Sequence, residues 1–176
     1  MRKTRILGQG LEVSAIGLGC MGMDHAYGAP ADREEMIKLI RHAVTLGCNF
    51  FDTAVVYGEA NEVLLGKALE IFPRDEVIIA TKFGIYGQEI VDGKPQNILN
   101  SKPDLIRDQL EGSLKRLGVD YIDLYYQHRV DPEVEPEIVA SVMKELIAKG
   151  KIKHWGLSNA PLDYLKRAHA VCPVTC

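Results

Sequence analysis

A chain of 176 residues holds one domain with a substantial core and leaves little room for a second. Its 26% of charged residues are scattered to a net charge of -3, with no basic stripe, which argues against a nucleic-acid partner. No apolar run is long enough to cross a bilayer, and the basic start "MRKTRILGQG" offers only Ile6-Leu7 before its glycines, so neither a membrane nor a signal-peptide role is expected.

The first segment, "TRILGQGLEVS", has two short apolar pieces around Gly8-Gln9-Gly10 and reads as a β-hairpin. Residues 13–18 read as a strand running into "GLGCMG", which fits the G-x-G-x-x-G spacing of a dinucleotide fingerprint. That motif needs a helix opening at its third glycine, and here a loop over 23–30 follows instead. A pyrophosphate grip at this point is therefore not expected. The helical pattern starts near Asp32, a plausible N-cap, and continues to residue 46 with Met36, Leu39, Ile40, Ala43 and Val44 on one face. Beyond it the pattern predicts strand 49–52, helix 60–71 and strand 77–81. A long polar excursion, 83–101, precedes a helix over 103–117, with Ser101 as its expected cap and Pro103 in its first turn. Strand 121–127, helix 135–149, strand 152–157 and helix 160–168 follow, and 174–176 reads as a strand just begun. Gly47, Gly118 and Gly150 stand where helix C-caps are expected. This strict alternation indicates a parallel sheet covered by helices, either doubly wound or a (β/α)8 barrel.

The strand ends carry the chemistry. Asp52 ends one strand with Tyr57 just after it, Lys82 ends the next, His128 the next, and Ser158-Asn159 the last. Each alone has a bland explanation as a cap, a solvated charge or a core group. Together they fall at the C-terminal edge, where such sheets build their sites. Carbonyl reduction fits them: negative charge developing on the oxygen needs a proton and electrostatic stabilisation. A phenol is a feeble acid at neutral pH, an adjacent lysine favours its phenolate, and an aspartate holds the lysine in place. A histidine can orient the carbonyl oxygen. Cys20, Cys48, Cys172 and Cys176 form no C-x-x-C pair, so reduced thiols in the cytoplasm are expected rather than disulfides or a metal site.

The runs "GLGCMGM", "NFFDTAVVYG", "NEVLLGKAL", "ATKFG", "SLKRLGVDYIDLYYQHRVD" and "GKIKHWGLSN" resemble the aldo-keto reductase family across essentially the whole chain. The resemblance implies a (β/α)8 barrel with an N-terminal hairpin closing its base, and NADPH lying over the C-terminal face without a Rossmann motif. It also implies a catalytic tetrad of Asp52, Tyr57, Lys82 and His128, and reduction of small aldehydes or ketones. Ser158 and Asn159 match the positions that hold the nicotinamide carboxamide. Gly19 and Met21 in the first βα loop, together with Asp52, are expected to border the cofactor.

A complete barrel takes about 250 residues. The sequence carries five strand–helix units and the first residues of a sixth, so residues 1–176 are expected to be the N-terminal portion of a single barrel domain. Its two open parallel edges favour self-association. A cofactor-sensing regulatory subunit on the same fold, and an inactive fragment, remain the alternative readings. The resemblance implies that the basic group choosing NADPH over NADH lies on the family's later strands, beyond these five units.

Overall fold

The computed structural model describes residues 3–24 and 31–176. An antiparallel hairpin, β1 (Thr4–Leu7) and β2 (Leu11–Ser14), comes first, as expected. The strand expected over 13–18 is divided: Val13 and Ser14 finish the hairpin, and only β3 (Leu18–Gly19) joins the main sheet. Between them Ser14 is held by Asn49, its N–H donating to Oδ1 at 2.7 Å, which turns the chain from hairpin into sheet. A short helical turn, α1 (Met21–Asp24), takes the first two residues of the loop expected over 23–30, and the rest of that loop lies outside the described residues.

Helix α2 (Arg33–Thr45) is capped by Asp32, whose Oδ1 accepts from the Glu35 N–H at 2.9 Å. Strand β4 (Phe50–Asp52), helix α3 (Glu59–Leu69), strand β5 (Ile78–Phe83), helix α4 (Pro103–Leu117), strand β8 (Ile122–Gln127), helix α5 (Pro136–Ala148), strand β9 (Ile152–Leu157) and helix α6 (Leu162–Val171) complete the alternation. Between β5 and α4 the polar excursion is ordered as a second hairpin, β6 (Ile85–Val91) and β7 (Lys94–Leu99). Its turn is Asp92-Gly93, both residues at positive φ (50° and 73°), the conformation a two-residue hairpin turn demands.

The five-stranded sheet runs β3-β4-β5-β8-β9, and every pairing in it is parallel. Register sorts the side chains. Asp52, Ala80, Leu124 and His154 stand opposite one another in one row, and Lys82, Tyr126 and Gly156 in the next. This is the concave face. Leu11 and Val13 of the first hairpin pack there against Ala80 and Leu124, with Phe50 and Ile78 alongside, and so plug the base. The residues one step out of phase, Phe51, Ile79, Tyr125 and Trp155, face the helices and are 0–1% exposed in a continuous core. Parallel strands buried on both faces need this near-continuous apolar character.

Residues 174–176 are not a regular strand. They nevertheless continue the ladder beside β9, with Thr175 N–H donating to Trp155 O and Leu157 N–H to Cys176 O, both at 2.9 Å. Val174, expected to lie bare at an open edge, is only 7% exposed. Helix α4 is also capped differently from expectation. Lys102 occupies the N-cap without a side-chain bond, while buried Ser101 donates its N–H to Asp131 Oδ2 (2.7 Å) and accepts from Gln127 Nε2 (3.0 Å). Ser101 thus ties the β8 end to the start of α4. All four cysteines are free thiols.

Candidate active site

Asp52, Lys82 and His128 occupy the C-terminal ends of β4, β5 and β8 or the residue just beyond, and Tyr57 ends a tight turn over Val55–Tyr57. The turn is closed by Tyr57 N–H to Ala54 O and Gly58 N–H to Val55 O, both at 3.1 Å. Gly58 at φ 101° then opens α3, a conformation that a residue with a Cβ adopts only under strain. The four side chains converge. Lys82 Nζ pairs with Asp52 Oδ1 and donates to Thr53 O at 2.8 Å. The same ammonium lies 5.2 Å from the centre of the Tyr57 ring. The His128 ring meets Tyr57 edge-on, with centroids 5.9 Å apart and planes at 87°.

Burial sets the charges. It raises the Asp52 carboxyl above the usual carboxylate range, and Lys82 works against that rise by attraction and by a hydrogen bond. His128 is pushed down to about 4 by burial, then by the positive charges of Lys82 and Arg129. Its imidazole is therefore neutral at physiological pH. Beneath Lys82, the Tyr126 ring centre lies 6.0 Å from Nζ, and burial raises that phenol above its ordinary range, followed by its contact with Cys176 (Oη to Sγ 3.1 Å). Gly156 makes room for this ring, because a Cβ there would come within 2.5 Å of it.

A second tier holds the first in place. Asn61 accepts from Thr53 Oγ1 at 2.6 Å and donates to Cys20 O at 2.9 Å, which fixes the first βα loop against the turn carrying Tyr57. Cys20 itself donates its N–H to Asp52 O (2.8 Å), and burial beside Asp52 pushes its thiol up to about 12. Glu62, fully buried, accepts from Thr81 Oγ1 (2.7 Å) and pairs with Arg116 Nε (2.6 Å). Sequence reading missed Asn61, Glu62, Gln127 and Arg129. The run "NEVLLGKAL" held a signal, since two polar residues at the start of an otherwise apolar stretch are costly there unless partnered.

Ser158 and Asn159 follow β9 at the same edge. Ser158 N–H donates to Gln127 O at 3.0 Å, its Oγ accepts from Arg129 Nη1 at 3.3 Å, and Asn159 stands at φ 57°. A hydroxyl and a carboxamide side by side supply the donors and acceptors that a planar amide such as a nicotinamide carboxamide requires. At the other end of the edge, a Cβ on Gly19 would meet nothing within 4 Å. A cavity of about 340 Å³ lies between the first hairpin and β3–β4, lined by Arg5, Leu7, Val13 and Phe50 as well as Gly19, Asp52 and Tyr126, and it does not reach Ser158 or Asn159; half-buried Met21 follows just beyond Gly19. The Ser158 and Asn159 side chains fit a nicotinamide carboxamide. A larger cavity of about 470 Å³, between α3 and α4 around Arg74, Val77 and Tyr121, touches none of the four converging side chains. Among the described residues no group of three or more His, Cys, Asp or Glu is placed to hold a metal ion, and no helix is long and apolar enough to cross a membrane.

A parallel strand–helix alternation, plugged at its base by a hairpin and bearing polar side chains on successive strand ends, is the architecture of part of a (β/α)8 barrel. The profile of the aldo/keto reductase family matches residues 15–176. The chain belongs to that family. It is 48% identical over 168 residues to a probable aldo-keto reductase of Glycine max, covering 95% of this chain and 47% of the relative. Among solved structures, a thermostable aldo-keto reductase in complex with the inhibitor epalrestat superposes with a TM-score of 0.84 at 32% identity, over 99% of this chain and 61% of that one. An aldo-keto reductase from Klebsiella pneumoniae in complex with NADPH superposes with a TM-score of 0.76 at 29% identity, over 95% of this chain and 53% of that one. The chain thus spans about half the length of the relatives it matches.

Proposed function

We propose that the protein is an NADPH-dependent reductase of small aldehydes or ketones, with Tyr57 as proton donor, and that residues 1–176 form the N-terminal portion of its single barrel domain. The observation that carries this reading is the placement of Lys82, held by Asp52 and Thr53 O and aimed at the Tyr57 ring while His128 abuts that ring's edge. NADPH, when bound, would supply the hydride. Ser158 and Asn159 would hold its carboxamide, with Gly19, Met21 and Asp52 bordering the ring.

The neutral His128 imidazole donates an N–H to the substrate's carbonyl oxygen and orients it towards Tyr57. Tyr57 passes its phenolic proton to that oxygen as negative charge develops there. The Lys82 ammonium stabilises the charge left on the phenol, and Asp52 keeps the ammonium in place. Their burial on the concave face strengthens each of these interactions relative to water. Such a protein works in the cytoplasm, where its four unpaired thiols stay reduced. The complete quartet weighs against a purely cofactor-sensing role.

The test is Tyr57→Phe in the full-length chain. Aldehyde-dependent NADPH oxidation is expected to fall about a hundredfold to ten-thousandfold, with NADPH binding retained. A variant with wild-type kcat would overturn the assignment, as would retention of wild-type kcat in Lys82→Met.

A further inference from the structure

We infer that Arg129 is a positioning residue: it locks the strand end that carries His128 to the strand end that carries Ser158, setting the carbonyl-side imidazole against the nicotinamide-side hydroxyl. The inference rests on the reading of this site as a reductase centre and adds a residue to it.

The ladder between β8 and β9 runs from Ile122↔Ile152 to Gln127↔Leu157. One further bond, Ser158 N–H to Gln127 O (3.0 Å), extends it, and Asn159 then turns away at φ 57°. Past this point His128 N–H is held by Phe83 O (2.8 Å) and Ser158 N–H by Gln127 O, but no backbone bond joins His128 to Ser158 directly. Arg129 Nη1 spans the gap by donating to His128 O at 2.7 Å and to Ser158 Oγ at 3.3 Å. Both bonds come from the one terminal nitrogen, whose two N–H groups serve the two acceptors, and the positive charge strengthens each bond. The side chain is half-buried. It is therefore not an ordinary solvated surface arginine.

The same placement has an electrostatic effect that a simple staple would lack. The groups facing His128 are Tyr57 from the turn before α3, Lys82 from β5 with Asp52 from β4 behind it, and Arg129 from its own segment. Two of them are cations that oppose protonation of the imidazole. Removing Arg129 leaves one, and makes His128 easier to protonate.

The experiment compares wild type, Arg129→Leu and Arg129→Lys in the full-length chain. It follows His128 by the pH dependence of its imidazole proton resonances, NADPH affinity by fluorescence, and kcat for an aldehyde against pH. In Arg129→Leu the half-titration point of His128 is expected to rise, the acid limb of kcat to move up with it, and NADPH to bind about tenfold more weakly. Arg129→Lys keeps the charge but carries it on a differently placed nitrogen, so it is expected to restore the titration point and the acid limb but not the full affinity. Arg129→Leu that binds NADPH as tightly as wild type overturns the inference, as does an unmoved His128 titration in that variant. So does Arg129→Lys behaving as Arg129→Leu in that titration. The His128 titration does not depend on turnover: a wild-type chain that reduces no carbonyl defeats the reductase reading, whereas the titration series decides the role of Arg129.

Discussion

At the residue scale, Lys82 pairs with Asp52 and Arg129 bridges His128 O and Ser158 Oγ, and only the first of these partnerships could be read in the sequence. Asp52, Tyr57, Lys82 and His128 stood out because ionisable groups at consecutive strand ends are hard to explain separately. Arg129 and Gln127 did not, because each is one step out of phase with a residue already noticed. Gln127 in fact faces outwards, where its Oε1 accepts from Tyr164 Oη (2.9 Å) and its Nε2 donates to Ser101 Oγ (3.0 Å). His128 carries a consequence for stability. Its folded titration point, about 4, lies below the ordinary value of 6.5. As pH falls through 6.5 the unfolded chain takes up a proton that the folded chain refuses, so stability drops between pH 6.5 and 4 and the loss is complete below 4. At 1.36 kcal/mol per unit this group costs about 3 kcal/mol at the acid end. Urea unfolding of wild type and His128→Gln at pH 7 and pH 4 is expected to show a smaller acid loss in the variant by about that amount. Equal losses would remove His128 as the cause.

At the element scale, the helices and barrel strands were legible from periodicity, and the second hairpin was not. Its strands mix exposed polar residues with exposed Ile90 and Ile98, and Gln88 pairs with Asn97 across it (Nε2 to Oδ1 3.0 Å), so no regular apolar alternation announced it. The Asp92-Gly93 turn was the available signal. The hairpin packs β6 against the turn bearing Tyr57, at the rim of the candidate site. The α3–α4 pair was legible only as two amphipathic helices. What joins them is specific: a Cβ on Gly66 would come within 2.4 Å of Leu117 O, and Glu62 of α3 pairs with Arg116 of α4. Breaking a buried ion pair from one side leaves its partner uncompensated, at about 3–5 kcal/mol. Arg116 keeps 18% side-chain exposure, so Glu62→Leu is expected near the lower end, about 3 kcal/mol in denaturant unfolding. A loss under 1 kcal/mol would show that the pair contributes little.

At the scale of the whole molecule, the sheet has two edges with no further strand beside them among the described residues, β3 on one side and 174–176 on the other. Unpaired parallel edges template association, and Ile16 near the first is 81% exposed. Sedimentation of the 176-residue chain at rising concentration is expected to show self-association, and a concentration-independent monomer would refute it. The barrel class was legible because its order of elements is local information, whereas the closure of the base was legible only through the family resemblance. That closure bears on kinetics. The first hairpin touches the last residues directly: Gln9 Oε1 accepts from Thr175 Oγ1 (3.1 Å) across 166 positions, and a Cβ on Gly8 would strike the Thr175 backbone at 2.6 Å. Closing so long a loop on an unfolded chain costs about 4–5 kcal/mol of entropy, so this contact gains nothing until the intervening sheet has already drawn the ends together. The hairpin therefore docks after the folding transition state. Thr175→Ala is expected to accelerate unfolding in stopped-flow measurements and leave the refolding rate unchanged. A matching slowdown in refolding would place the base plug in the nucleus, and the chain would then assemble from its two ends inwards.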